Sequence, residues 1–248
     1  LKKSAELGML GVNISEEYGG IDLDVVTTLI FGEATSYGHS FATAIGAHTS
    51  IGSLPIVYYG NETQKAKYLP GLANGDLMAS YCLTEPDAGS DANSGKTKAV
   101  LNETGTHYVI NGQKMWITNG GFANIFIVFA KIDDDKKLTA FIVEKEFPGI
   151  SIGEEEKKMG IKGSSTVQVF FSDCIVPKEN LLGEREGGFK MALNILNSGR
   201  IKIGSSAVGG SKLAIDKSVK YANERMQFKT KISDFGAIKH KLADMAGK

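Results

Sequence analysis

The chain has 248 residues, of which 42% are hydrophobic, so it is long enough to bury a sizeable core as one large domain or two smaller ones. Its 28 basic residues balance 28 acidic residues, and a formal charge of zero argues against a general role in binding nucleic acid or a membrane surface. Two cysteines, Cys82 and Cys174, are too few for a disulfide framework and are expected to be reduced thiols of an intracellular protein.

Residues 1–80 are predicted to form an N-terminal helical domain punctuated by glycines. Within them, the stretch GNETQKAKYLPGLANGD predicts a short capped helix, because asparagine is a preferred N-cap and the Pro-Gly pair is a stop signal. Asn61 is therefore the expected first cap, and Pro70 with Gly71 the expected end.

Residues 81–183 change character and are predicted to form a central antiparallel β-domain. The stretch THYVINGQKMWITNGG predicts two short strands around Asn111 and Gly112, since both residue types tolerate the positive φ of a hairpin turn. NIFIVFAKI and LTAFIVEK are β-rich runs, and STVQVFFSDCIVP alternates apolar and other residues until Pro177.

Helical periodicity returns near Gly187, so residues 184–248 are predicted to begin a C-terminal helical domain. Small residues in this segment would let another helix approach closely: Ser205, Ala207, Gly209 and Gly210. The chain opens at Leu1 rather than at methionine and stops within a helical pattern, so we expect it to be part of a longer protein.

The stretch YCLTEPDAGSDANSG, residues 81–95, joins the first two segments and has two possible roles. Glycines and serines leave backbone N–H groups unshielded and add hydroxyl donors, so the loop could hold a phosphate. Three carboxylates, those of Glu85, Asp87 and Asp91, instead favour capping of the loop's own turns. The stretch has no glycine-rich dinucleotide or P-loop pattern, and from the residues alone both roles remain open.

The stretch QKMWITNGG contains the only tryptophan, Trp116, two residues before Thr118. In a regular strand these two side chains point to the same face. An indole plane beside a hydroxyl suits a flat, redox-active ring that needs packing and one hydrogen bond, whereas a core tryptophan is the structural alternative. The four histidines have no metal-ligand spacing and are expected to be solvated or structural.

In their order and spacing, YCLTEPDAGSD, INGQKMWITNGG, KKMGIKGSST and VPKENLLGE resemble the acyl-CoA dehydrogenase family over essentially the whole chain. GFKMALNILNSGR and NERMQF most resemble its very-long-chain branch. The resemblance implies an α+β fold with an N-terminal helical domain, a central antiparallel β-domain and a C-terminal helical bundle. That order agrees with the three segments above.

The resemblance also implies FAD as the cofactor and assigns residues to it. The residues expected to contact the FAD of the same chain are Tyr81, Cys82, Leu83, Thr84, Ser90, Trp116, Ile117 and Thr118. Those expected near the pyrophosphate of the FAD held by a partner subunit are Arg225, Phe235 and Gly236. Those expected to contact the acyl-CoA substrate are Ser90, Asn197 and Arg200.

The implied reaction is dehydrogenation of a long-chain acyl-CoA to the trans-2-enoyl-CoA in fatty-acid β-oxidation. Electrons would pass to an electron-transferring flavoprotein. The protein is expected to be a homodimer or homotetramer with no nucleic-acid partner, located in the bacterial cytoplasm or in mitochondria. The catalytic glutamate is expected beyond residue 248, because Gly199 occupies the other position the family uses. An acyl-CoA oxidase-like flavoenzyme and a non-catalytic relative that retains the fold are the alternatives.

Overall fold

The N-terminal part of the molecule is helical. The computed structural model describes all 248 residues. Asp24 caps the second helix, since its carboxylate accepts hydrogen bonds from the N–H groups of Val26 at 2.8 Å and Thr27 at 3.1 Å. A single π-helical turn, His48–Gly52, extends the third helix. The helices of this part are α1 (Lys2–Glu6), α2 (Val25–Thr35), α3 (His39–Ala47), α4 (Leu54–Tyr59) and α5 (Glu62–Asn74).

Helix α5 begins where the sequence predicts and ends later. Asn61 caps it in a capping box with Gln64, which confirms the predicted start. The predicted stop is wrong, because Pro70 lies inside the helix and the chain leaves it only at Gly75, in a left-handed conformation with φ of 82°. Proline removes one backbone hydrogen bond, and burial of Leu72 and its neighbours against the sheet holds the last turn in place.

Eight strands form the central sheet, in the spatial order β6-β7-β3-β2-β4-β5-β8 with β1 also paired to β4. Most neighbours are antiparallel, but β1 and β2 both pair with β4 in parallel, so the predicted purely antiparallel domain is in fact mixed. The β2–β3 hairpin returns the chain to the end of the sheet where β1 and β2 began, and β4 therefore runs in their direction. The strands are β1 (Ala79–Cys82), β2 (Lys98–Leu101), β3 (His107–Thr118), β4 (Ile125–Ile132), β5 (Thr139–Glu144), β6 (Ile150–Ile152), β7 (Thr166–Pro177) and β8 (Leu181–Leu182).

Strand β3 is continuous where the sequence predicts a hairpin turn. Asn111 and Gly112 form a β-bulge opposite β7 instead, because the pairing register shifts between Ile110 and Gly112. The Asn111 side chain donates to Asp173 Oδ1 at 3.0 Å and accepts from the Asp173 N–H at 2.8 Å. A side chain at position 112 would come within 2.5 Å of Thr97 Oγ1, so glycine is required here by close packing and not by a turn.

Both faces of the central strand β4 are buried, and its alternate residues point to opposite sides of the sheet. Ile127 and Phe129 join a cluster that contains residues of α5 and α6 as well as the sheet. Phe126 and Val128 point the other way, into a cluster built from β-strand residues of the central domain. The sheet therefore fixes the position of the helices on one side.

The C-terminal part is one long helix, α6 (Gly188–Glu224), followed by the short strands β9 (Met226–Gln227) and β10 (Thr230–Lys231) and by helix α7 (Gly236–Gly247). Small residues bring α6 close to α2, as predicted, since a Cβ at Gly209 would lie 2.2 Å from the Glu33 carbonyl oxygen. The Ser205 hydroxyl donates to the Leu29 carbonyl across the same contact. None of the helices combines the length and the apolar character needed to cross a membrane. The predicted α+β fold class is confirmed.

Candidate functional site

A cavity of about 360 Å³ lies where the end of β1, the loop after it, the end of β3 and one face of α6 meet. It brings together predicted site residues that are more than 100 positions apart in the sequence, such as Tyr81 and Arg200. The predicted residues that line it are Tyr81, Leu83, Thr84, Ser90, Trp116, Ile117, Thr118 and Arg200. Lining residues without a sequence-based assignment are Ile51, Gly89, Ala92, Phe189, Ala192, Leu193 and Leu196.

Side chains alternate along β1 and into Leu83, which directly follows it, and this decides which of them face the cavity. Tyr81 and Leu83 line it, whereas the side chain of Cys82 points into the opposite core and takes no part in the lining. Burial raises the pKa of the Cys82 thiol to about 12. Cys82 is therefore a packing residue, and the sequence motif alone does not show that it faces away.

The Tyr81 hydroxyl is buried and has no hydrogen-bond partner within the protein. Its ring packs edge-on against Phe129, with ring centroids 5.0 Å apart, and burial raises the pKa of the phenol. A buried hydroxyl without a partner carries a desolvation cost. Because the oxygen is enclosed, Tyr81 lines the cavity through its other atoms.

Trp116 reaches the cavity through a second irregularity in β3. The register shifts between Lys114 and Ile117, and Trp116 has a positive φ of 56°, which is unfavourable for a bulky residue. The strand is therefore irregular just before this point, but Trp116 and Thr118 line the same cavity, as predicted. The indole is 61% exposed and offers an apolar plane to a ligand.

A buried ion pair holds the cavity wall in place. The Lys114 ammonium, 0% exposed, donates to Glu85 Oε1 at 2.7 Å, to the Phe129 carbonyl at 2.7 Å and to the Leu83 carbonyl at 3.2 Å. It therefore joins β3, β4 and the end of β1 at one point. Lys114 keeps the alternation of the buried residues Tyr108 and Ile110, but the sequence did not single it out, because a lysine in a β-strand is ordinarily solvated.

Glu85 orders the loop from the other side of this pair. Its carboxylate accepts from the N–H groups of Lys96 at 2.6 Å and Thr97 at 3.1 Å and from the Thr97 hydroxyl at 2.6 Å. Burial raises the pKa of Glu85, but the Lys114 ammonium and these hydrogen bonds outweigh it, so the pKa lies below its usual range. The predicted loop-capping role is confirmed for Glu85, while Asp87 pairs with Lys96 at the surface at 2.8 Å.

One face of α6 closes the cavity. Its lining residues follow helical spacing: Phe189, Ala192, Leu193, Leu196 and Arg200. The Arg200 guanidinium donates to Asn197 Oδ1 at 2.7 Å, but the exposed Asn197 side chain does not itself line the cavity. Arg200 is the one charged lining residue, and no lining residue carries a carboxylate.

Three predicted residues lie far from this cavity. Arg225 directly follows α6, 25 residues after Arg200 (225 minus 200), which places it roughly 37 Å away along a helix with a rise of about 1.5 Å per residue. Phe235 caps α7 and packs against Phe228 with ring centroids 6.5 Å apart, and Gly236 is the first residue of that helix. These residues cannot reach the cavity of their own chain, so their assignment to a partner's cofactor stays a prediction.

No group of three or more histidine, cysteine or acidic residues in the chain is placed to hold a metal ion. His48 is a core residue, which agrees with the structural role expected for the histidines. Its Nε2 contacts the Leu72 carbonyl at 2.9 Å, and its Nδ1 accepts from the Ala79 N–H at 3.1 Å.

Family models match three consecutive parts of the chain: acyl-CoA dehydrogenase, N-terminal domain (residues 1–76), middle domain (residues 80–174) and C-terminal domain (residues 186–248). A probable acyl-CoA dehydrogenase of Bacillus subtilis is 56% identical over 248 residues, which is 100% of this chain and 42% of that protein. The mitochondrial very long-chain specific acyl-CoA dehydrogenase of Bos taurus is 46% identical over 97% of this chain and 38% of its own length.

Among solved structures, an acyl-CoA dehydrogenase of Bacillus anthracis complexed with FAD superposes with a TM-score of 0.97 at 56% identity. The match covers 99% of this chain and 42% of that one. The chain thus spans less than half the length of these relatives.

Proposed function

Because the chain belongs to the acyl-CoA dehydrogenase family, we propose that the protein it comes from removes two hydrogens from an acyl-CoA in an FAD-dependent reaction. The product would be the trans-2-enoyl-CoA. The observation that carries the proposal is the convergence of two sequence motifs and one face of α6 on a single cavity of about 360 Å³. Membership of this family favours an oxidoreductase acting on acyl-CoA over a pure binding module.

The lining residues fit the ring system of FAD. A flavin is flat, with apolar faces and a polar edge, and the cavity offers the exposed plane of Trp116 together with the side chain of Thr118. Bound there, FAD would supply the acceptor for the two electrons removed from the substrate. The FAD complex of the Bacillus anthracis relative supports this assignment.

The chain's own residues would position the substrate and exclude water. Ile51, Leu193 and Leu196 form an apolar wall, and Arg200 lies at the charged end of the cavity. Loss of a proton next to a thioester needs hydrogen bonds that strengthen as charge develops on the carbonyl oxygen, and a carboxylate base whose pKa rises when water leaves. Since no carboxylate lines the cavity, we assign the base to a part of the protein outside these 248 residues.

The finer substrate assignment is a long-chain acyl-CoA. Its support is the 46% identity to a very long-chain specific relative, together with the apolar wall of the cavity. We further propose that electrons leave to an electron-transferring flavoprotein and that a second copy of the chain completes the cofactor site. The roughly 37 Å between Arg200 and Arg225 supports the second point, because one copy cannot bring both residues to one flavin.

The test is an anaerobic titration of the full-length, FAD-loaded protein with palmitoyl-CoA and, separately, with butyryl-CoA. Palmitoyl-CoA should bleach the visible absorption of the flavin, and butyryl-CoA should leave it unchanged. Bleaching by both would remove the long-chain preference, and bleaching by neither would contradict the proposed reaction. Oxygen uptake during turnover would instead identify an acyl-CoA oxidase-like enzyme.

A further inference from the structure

Strand β3 ends at Thr118, which lines the cavity assigned to FAD. The next residue, Asn119, is 0% exposed and has a positive φ of 65°. Asparagine is one of the few residues other than glycine that adopt this conformation at little cost. The chain can therefore turn directly after Thr118 and still place a polar side chain at the turn.

Asn119 contacts three separate parts of the molecule. Its backbone N–H donates to the Ser165 carbonyl at 3.0 Å, and its carbonyl accepts from the Ala123 N–H at 2.8 Å. Its side-chain amide donates to the carbonyl of Ala44 in α3 at 2.8 Å, across 75 positions of the sequence. The end of β3 is therefore tied to an N-terminal helix as well as to its own sheet.

A second buried side chain holds the same point from β1. The hydroxyl of Ser80, a residue that is 0% exposed, donates to the Thr118 carbonyl at 2.9 Å. The peptide group between Thr118 and Asn119 thus has both of its polar atoms bonded, since its N–H donates to the Ser165 carbonyl. These bonds fix the direction in which the backbone leaves Thr118.

The bond from Asn119 to Ala44 also joins two walls of the cavity. Helix α3, which contains Ala44, continues into the π-helical turn, and Ile51 of that turn lines the same cavity as Thr118. A shift of α3 against the sheet would therefore move Ile51 relative to Thr118. The amide of Asn119 opposes such a shift, although Asn119 does not itself line the cavity.

We propose that Asn119 and Ser80 are positioning residues for FAD, which act by holding Thr118 where its side chain meets the bound cofactor. A side chain that is already held in place loses less conformational freedom on binding, so the two anchors raise the affinity for FAD. This inference rests on the proposed function, because it requires FAD in this cavity. It does not depend on which acyl-CoA is the substrate.

Equilibrium dialysis of the full-length apoprotein against FAD tests the inference, with urea unfolding of each variant as the measure of folding. Asn119→Gly keeps the positive φ and removes only the amide, and Ser80→Ala removes only the hydroxyl. Each should weaken FAD binding by about threefold to tenfold, and so should Thr118→Val, which removes the hydroxyl on which the anchors act. If Asn119→Gly fails to fold, Ser80→Ala carries the test, since it deletes a single oxygen.

A double variant separates positioning from a general loss of structure. Asn119→Gly combined with Thr118→Val should bind FAD about as weakly as Thr118→Val alone, because the anchor has no hydroxyl left to position. Independent effects would multiply instead, to about tenfold to a hundredfold. The matched control is Asn180→Ala, a buried asparagine outside the cavity whose amide donates to the Ile142 carbonyl at 2.7 Å. It should lower the stability and leave FAD binding unchanged.

The outcomes distinguish this inference from the proposed function. Wild-type affinity for FAD in the anchor variants or in Thr118→Val, multiplied effects in the double variant, or an equal loss in Asn180→Ala would each overturn the positioning role alone. A wild-type protein that does not bind FAD would overturn both the positioning role and the proposed function. FAD binding that depends on the anchors, without bleaching of the flavin by any acyl-CoA, would contradict only the proposed reaction.

Discussion

Replacing Lys114 by methionine should destabilise the protein far more than a lysine-to-methionine change normally does. The side chain is fully buried, and its ammonium serves Glu85, the Phe129 carbonyl and the Leu83 carbonyl at 2.7, 2.7 and 3.2 Å. Without it, Glu85 becomes a buried charge with no counterion. Breaking a buried pair in this way costs about 3–5 kcal/mol, a large share of the about 5–15 kcal/mol that stabilises a typical domain.

A double-variant cycle separates the unpaired charge from the lost packing. Glu85→Gln keeps a side-chain oxygen for the N–H of Thr97, so Lys114→Met combined with Glu85→Gln buries no net charge. The double variant should cost about 1–2 kcal/mol, the value of lost hydrogen bonds alone. Lys98→Met, whose ammonium pairs with Asp134 at 3.5 Å at the surface, is the matched control and should leave stability nearly unchanged.

Urea unfolding followed by circular dichroism gives each free energy of unfolding. FAD retention is measured on the same samples, because the Leu83 carbonyl held by Lys114 belongs to a residue of the cavity wall. A loss below about 1 kcal/mol in Lys114→Met, or a double variant less stable than Lys114→Met alone, would refute the reasoning.

Three further predictions concern the acid stability, the thiol and the activity of the chain. Burial lowers the pKa of His48 to about 4, so the stability that the neutral imidazole contributes is complete above about pH 6.5 and is lost as the pH falls through 4. In urea unfolding, the wild type should therefore lose about 3 kcal/mol more of its free energy of unfolding than His48→Gln between pH 7 and pH 4. Equal losses in the two proteins would contradict this. Cys82 is fully buried and its pKa is raised, so it should resist alkylation by iodoacetamide at pH 8 in the folded protein. Modification is detected by mass spectrometry, and alkylation of Cys82 before the protein unfolds would disprove its packing role. The 248-residue chain loaded with FAD should not oxidise palmitoyl-CoA, since no carboxylate lines its cavity, whereas enoyl-CoA formation detected by chromatography would locate a base within the chain.

Local patterns predicted the elements whose determinants are themselves local. The cap at Asn61 needs only the four residues of its capping box, and the small residues of α6 that admit α2 stand within one helical stretch. The wrong predictions concern residues whose conformation depends on contacts with distant parts of the sequence. Asn111 and Gly112 carry a turn signature, yet the partners that turn them into a bulge are Thr97 and Asp173, up to 62 positions away.

The candidate site likewise has features that the sequence predicted and features that depend on long-range packing. The motifs named Tyr81, Trp116 and Thr118 correctly as residues that lie together, because a resemblance carries tertiary information that periodicity lacks. The route by which Trp116 reaches the cavity, through a positive φ, was not predictable from strand alternation. Lys114 was missed because a lysine in a β-strand is ordinarily a solvated residue, whereas here Glu85 and two carbonyl groups satisfy its buried ammonium.

The central claim is that FAD binds in the cavity formed by β1, β3 and α6. The most direct test uses the one tryptophan of the chain, Trp116, as a reporter at the cavity wall. The 248-residue chain is titrated with FAD while tryptophan emission is recorded, and binding is followed in parallel by equilibrium dialysis. Saturable quenching that tracks the bound fraction is the predicted result, and FAD that binds while the emission of Trp116 stays unchanged would place the cofactor elsewhere.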